Sequence, residues 1–303
     1  MHKHHKIYQV IPAALLLVCF ALPAAAQRTV SAAQYFFNQY LANPAMAGRD
    51  SSLNLMVSYN RQFDNLPGAP VNTMFSADYN MGKRVGLGVN GFSQNAGPFH
   101  QFRGALTYAY HLPVGARGQR LSFGISAAVV NNRFTTGEVD GDHSDPSLAY
   151  YNDRGLQTDG DFGVVYAAQS LTLQAAVPSI RNNVTKETYY SVDRPTLFTA
   201  ASYKFYLGEG EINSIEPKLC YTSIRGNKDV IDAGVEVKLV NNIASVFGMY
   251  HSTQNFTVGI GADILSRVKL MASFTPEGKN LRNYTDGIFS INLLVSLFPG
   301  TKE

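Results

Sequence analysis

The chain has 303 residues, of which 45% are hydrophobic and 16% charged, with a formal net charge of +3. That length suits two ordinary soluble domains or one large all-β unit, and so balanced a charge implies no nucleic-acid or polyanion partner. Two cysteines, Cys19 and Cys220, are too few for a disulfide-framed scaffold.

Lys3 and Lys6 precede an apolar run from Val10 to Leu22, which ends at Pro23 and Ala24-Ala25-Ala26. This order predicts a secretory signal peptide over residues 1–26, cleaved after Ala26. The apolar run is well short of the ~20 residues that a spanning helix needs. A lipoprotein reading of Cys19 fails, because Val18 stands where a small residue is expected and more apolar chain follows. Loss of the leader, with Lys3 and Lys6, takes the formal charge from +3 to +1 and leaves Cys220 as the only thiol. An exported chain without disulfides needs another source of stability. Beyond the leader no apolar run approaches helix-spanning length, so any membrane crossing falls to strands, and a closed barrel is then the only way to pair every backbone group.

Residues 27–52 form an N-terminal arm that reads as neither strand nor good helix. Tyr35, Phe36, Phe37 and Tyr40 are too apolar to dangle in water, which makes the arm a candidate periplasmic partner contact or lumen plug; the plainer alternative is a lead-in packed under the fold for stability.

From Leu53 onward, short runs carry an apolar residue at every second position between Gly, Asn, Asp, Ser and Pro clusters, which is strand periodicity. Leu53, Leu55, Val57 and Tyr59 share one face, with Asn54, Ser58, Asn60 and Gln62 on the other. The pattern recurs through Thr73 to Tyr79, Val85 to Val89, Leu106 to Leu112 and Leu121 to Val129, then down the chain to Phe289 to Leu297. About fourteen such runs, each near the ~10 residues of a tilted membrane strand, predict an all-β, antiparallel transmembrane barrel of outer-membrane type over residues 53–298, with residues 299–303 as a tail. The opposite faces carry charges of both signs, including Asp78, Arg103, His111, Glu216, Lys218, Asp232, Glu236 and Lys269, which suits a watery lumen. A soluble β-sandwich could carry them too; connection lengths discriminate better. Connections near Met81 to Lys83, Pro113 to Gly118, Ala168 to Ser170 and Val240 to Asn242 are tight, whereas Arg133 to Gln157, Ser179 to Pro195 and Thr275 to Gly287 are long. Short periplasmic turns facing long external loops are the pattern of such barrels. With no Trp in the chain, aromatic girdles fall to rings such as Tyr108, Tyr110, Tyr203 and Phe205.

Sites of chemistry are sparse. Glu138, Asp140, Asp142 and Asp145 open like a calcium loop, but the sixth and twelfth positions hold Asp145 and Tyr151 instead of Gly and Glu; a solvated acidic loop is the expected reading. Gly86-Leu87-Gly88 and Gly259-Ile260-Gly261 lie inside strands, where glycine relieves crowding or allows curvature. Cys220 falls on the polar face of its strand. His100, His111, His143 and His251 have no second ligand at metal spacing. No catalytic residue, metal or cofactor is expected, and the protein reads as no enzyme.

The stretch Gln34-Tyr35-Phe36-Phe37-Asn38-Gln39-Tyr40-Leu41-Ala42-Asn43-Pro44-Ala45-Met46-Ala47-Gly48 resembles the opening motif of the PorP/SprF family of type IX secretion system membrane proteins. In that family an aromatic Gln-Tyr segment leads into Asn-Pro-Ala-x-Ala-Gly. Tyr59 to Phe63, Gly68-Ala69-Pro70, Val85 to Gly88, Gly97-Pro98, Tyr108 to Leu112, Gly259 to Gly261 and Tyr284 to Phe298 fit as well. Phe63 stands where the family often has Trp, and Met46 where it often has Tyr. The resemblance implies a component of the secretion and gliding apparatus of the Bacteroidetes outer membrane. Such proteins assist export or surface attachment of cargo such as adhesins, and associate with a periplasmic peptidoglycan-binding lipoprotein and other type IX components. It adds Asn43, Pro44 and Gly48 to Tyr35, Phe36, Phe37 and Tyr40 as candidate partner-binding residues. The external loops around Asp140 to Tyr151 and Arg181 to Arg194 would face cargo. The competing expectation is a general diffusion porin or small-solute channel, since fourteen strands lie between the ~8 that give a filled interior and the 16 to 18 that leave a channel.

Overall fold

The computed structural model describes residues 31–63, 67–115, 118–135, 152, 155–184, 194–208, 210–225, 228–239, 242–264, 267–276 and 287–298. The leader, the Asp140 loop and the tail lie outside these residues.

The strands are β1 (Leu53–Gln62), β2 (Val71–Gly82), β3 (Val85–Ala96), β4 (Phe99–Val114), β5 (Gln119–Phe134), β6 (Leu156–Ala168), β7 (Leu171–Val177) and β8 (Arg194–Tyr203). After Lys204, β8 resumes as β9 (Phe205–Tyr206). There follow β10 (Ile212–Arg225), β11 (Val230–Leu239), β12 (Ala244–His251), β13 (Phe256–Ile264), β14 (Val268–Thr275) and β15 (Ile288–Leu297). All pairings are antiparallel between sequence neighbours, and β1 pairs with β15 from Leu53↔Leu297 to Gln62↔Ile288. With β9 counted as the end of β8, this is a closed barrel of fourteen strands. Closure leaves no edge to pair with another chain.

The two-residue rhythm sets which face meets which solvent. Val57 aligns with Phe75 on one side and Leu293 on the other, and all three point outward and exposed. Leu106, Ile125, Phe162, Leu219, Ile260 and Leu270 continue this apolar exterior, and Tyr108, Tyr110, Tyr203 and Phe205 also face out. Inward point Asp78, His111, Lys218, Asp232 and Glu236, all buried. A core turned inside out in this way is stable only against lipid. A closed antiparallel barrel with an apolar exterior is the build of a bacterial outer-membrane protein.

The arm departs from the expectation of irregular chain. It forms helix α1 (Ser31–Phe37), helix α2 (Gln39–Ala42) and a 3₁₀ turn at Pro44–Met46. Helices this short are not stable alone; the inner wall of the barrel supplies the packing that sequence periodicity does not reveal. A third helix, α3 (Ile180–Val184), follows β7.

The inner face also departs from expectation in one sector. Phe198, Ala200, Cys220, Phe247, Met249, Met271 and Met56 point inward and form one apolar cluster with Tyr35, Phe36 and Phe37. The inward position of Cys220 holds, but its surroundings are apolar rather than wet.

Candidate functional site

The arm's local structure follows from its side chains. Asn38 sits in extended conformation between α1 and α2, and its Oδ1 accepts from the Tyr40 N–H at 2.9 Å, a standard helix cap. Asn43 repeats the device. Its Oδ1 accepts from the Ala45 N–H at 3.0 Å, Pro44 supplies the fixed φ of the first turn position, and the Met46 N–H donates to the Asn43 carbonyl at 3.0 Å. Gly48 then turns the chain out with φ +61°, and a Cβ there would stand 2.5 Å from the Tyr79 carbonyl oxygen. Only glycine tolerates both demands.

This turn is stitched to strands on one side of the barrel. Asn43 Nδ2 donates to the carbonyl oxygens of Val164 and Ala175 at 3.2 and 3.3 Å. Tyr40 Oη donates to Thr107 Oγ1 at 2.8 Å and accepts from Asn90 Nδ2 at 3.2 Å. His111 Nε2 lies 3.0 Å from the Ala47 carbonyl, with its Nδ1 held by Ser122 Oγ at 2.9 Å. The Gly48 N–H donates to Asp78 at 2.9 Å, Asn80 Nδ2 donates to the Gly48 carbonyl at 2.9 Å, and Arg120 donates to the Arg49 carbonyl at 2.9 Å. Asn38 donates to Ser76 Oγ, and Gln174 donates to Gln39, both at 2.8 Å. Strands β2 to β7 therefore all hold the segment. Burial pushes the Tyr40 hydroxyl pKa up to about 12, against the smaller opposing pull of its Thr107 and Asn90 hydrogen bonds.

Glycines on the same wall make the room. A Cβ at Gly163 would meet Asn43 Oδ1 at 2.0 Å, at Gly124 the Ala45 nitrogen at 2.2 Å, at Gly86 the Ala47 carbonyl at 2.1 Å, and at Gly88 the Tyr40 hydroxyl at 2.4 Å. The in-strand Gly86 and Gly88 thus relieve crowding, as read from the sequence, and what they make room for is the arm.

α1 rests on the other side of the lumen. The Phe36 and Phe37 rings pack on Phe247 at 5.7 and 5.4 Å between centroids, and the Tyr35 ring lies 5.6 Å from Phe198. Lys218 Nζ stands 4.8 Å above the Phe36 ring. It is also 2.8 Å from Glu236, whose other oxygen is 3.3 Å from Lys269. The Tyr35 side chain is fully buried, and its hydroxyl approaches Ser202 but makes no well-formed hydrogen bond among the described residues.

All seven candidate residues, Tyr35, Phe36, Phe37, Tyr40, Asn43, Pro44 and Gly48, are thus buried within the barrel against its inner wall. Sequence reasoning missed the wall that receives them. Its signals were present: glycines at inward positions 86, 88, 124, 163 and 234, and apolar residues such as Phe198 and Phe247 where alternation calls for polar ones.

Towards the side of the long loops, Arg103 Nη2 lies 2.7 Å from both oxygens of Asp161. Asp161 also accepts from the Ser179 N–H at 2.9 Å, and Asp159 accepts from the Arg181 N–H at 3.1 Å and from the Ser179 hydroxyl. These carboxylates tie the start of α3 to the β6 wall. Asp232 lies 2.6 Å from His251 Nδ1, and His251 Nε2 lies 2.8 Å from Thr257 Oγ1. This is the order of an acyl-transfer triad. Here the Thr257 hydroxyl is 1% exposed and 2.6 Å from that of Thr275, so the chain of bonds serves to cross-link β11, β12, β13 and β14.

The family model described as "Type IX secretion system membrane protein PorP/SprF" matches residues 24–295. No curated protein matches the chain. Among solved structures, the chain is similar to the Acinetobacter baumannii outer membrane protein Omp33, with 9% identity and a TM-score of 0.44, covering 82% of this chain and 99% of that one. It is likewise similar to a mutant of the TodX monoaromatic hydrocarbon channel, with 9% identity and a TM-score of 0.45, covering 84% and 92%. A mutant porin of Rhodopseudomonas blastica has 9% identity and a TM-score of 0.35, covering 81% and 99%.

Proposed function

The chain belongs to the PorP/SprF family of type IX secretion system membrane proteins, and on that premise we propose that it assists export or surface attachment of cargo proteins by binding partners, without catalysis. The observation that carries this reading is the arm. A diffusion porin works through a standing aqueous lumen, whereas this lumen holds residues of its own chain, tied by Asn43, Tyr40, Ala47 and Gly48 to strands on one side and packed through Phe36 on the other. In this reading the arm is a plug, and its seven candidate residues meet a partner only when the arm leaves the wall.

The partners are those that the family supplies. Cargo or adhesin proteins meet the long loops on the external side, and a periplasmic peptidoglycan-binding lipoprotein with other secretion components meets the rim of short turns. Cross-linked co-purification from the native envelope tests this: recovery of secretion components and a cargo protein is expected, and recovery of neither overturns it.

A further inference from the structure

We infer that the plug is built in two parts with separate latches, so that α1 leaves its seat while the Asn43 to Gly48 turn stays docked. This rests on the plug reading above but concerns movement within the arm, which is measured without any partner.

The division is in the contacts. The turn is held by directional hydrogen bonds to strands β2, β4, β6 and β7 and seats against glycines where a Cβ would collide with it. α1 is held by apolar and ring contacts to Phe198, Phe247 and their neighbours. Its closed position also buries three groups that water would serve better. The Tyr35 hydroxyl makes no well-formed hydrogen bond among the described residues and has only the approach of Ser202, and Phe36 lies over Lys218, which with Glu236 forms a pair of side chains only 4% and 5% exposed. Burying a poorly paired hydroxyl and desolvating an ion pair both oppose docking, while burying three aromatic rings favours it. Large opposing contributions leave a small difference, which is the condition for a two-position element. The extended Asn38 between α1 and α2 is the joint.

Cys220 is the reporter, because it is 1% exposed beneath α1 and belongs to the same cluster. The full barrel in lipid vesicles is treated with a small water-soluble maleimide, and labelling of the Cys220 peptide is followed by mass spectrometry, with heat-modifiable gel migration confirming that the barrel stays folded. The native protein should label while folded. Phe36→Ala, or Phe36→Leu should the first variant not assemble, should label several-fold faster. Tyr35→Phe should label several-fold slower, because it removes the poorly paired hydroxyl and keeps the ring. Asn43→Ala should change the rate little. Labelling only when the barrel unfolds overturns the inference, as does acceleration by Asn43→Ala equal to that by Phe36→Ala, or a Tyr35→Phe rate at or above the native one. Failure here leaves the partner-binding role to be judged by co-purification alone.

Discussion

The two halves of the arm occupy one lumen but are secured by different physics. The Asn43 to Gly48 turn satisfies nearly every polar atom it presents, using carbonyls and side chains on four strands, β2, β4, β6 and β7. The Tyr35 to Phe37 segment hides rings against rings and covers a buried ion pair. Hydrogen bonds fix position, because a small shift leaves both partners unpaired and buried; apolar contact fixes only proximity. The difference teaches that a segment inside a barrel can be fixed by hydrogen bonds at one end and by apolar packing at the other.

Substitutions at the glycine cradle should break the anchored half most completely. Gly163→Ala and Gly124→Ala place a methyl 2.0 Å from Asn43 Oδ1 and 2.2 Å from the Ala45 nitrogen, so the turn cannot seat. We expect a loss of about 3–5 kcal/mol in denaturant titrations of the reconstituted barrel, with the overpacking and the unpaired groups adding. Phe36→Ala attacks the other half, and the empty space beside Phe247 should cost about 2–4 kcal/mol. Asn43→Ala removes two stitches and a cap, for about 1–3 kcal/mol. The comparison sharpens in the double variant. If the halves are separate latches, the Phe36→Ala and Asn43→Ala losses add to within about 0.5 kcal/mol, and a larger coupling in the double-mutant cycle would merge them into one unit.

The smallest effect is a pH dependence. The Tyr40 hydroxyl titrates ordinarily at 10.0 and is raised to about 12 in the fold, chiefly by burial. Docking keeps the hydroxyl protonated, so its contribution is fully present below pH 10 and is lost as pH rises from 10 towards 12. Tyr40→Phe should cost about 1 kcal/mol at neutral pH and should weaken this alkaline sensitivity in the same titrations.

Much of the barrel was legible because alternation is a direct record of lipid on one side and lumen on the other. Val57, Phe75 and Leu293 announce the outside as plainly as Asp78 and His111 announce the inside. The arm was half legible. Its aromatics declared that they need cover, and Asn43, Pro44 and Gly48 stood out by family likeness, but α1 and α2 were invisible because their stability comes from the wall and not from their own periodicity. The wall itself was the harder part. Gly124, Gly163 and Gly234 look like ordinary strand glycines, and Phe198 or Phe247 look like lapses in alternation, until the chain that fills the space beside them is known. Partner choices have no such record in the pattern of the strands.

The central claim, that the arm closes the lumen, is tested most directly by single-channel conductance in planar bilayers. The intact protein is compared with a variant lacking residues 31–48 whose barrel is shown to be folded by heat-modifiable migration. The account predicts a closed or briefly flickering intact protein and a large, steady conductance without the arm. A steady pore of the same size in both would contradict it.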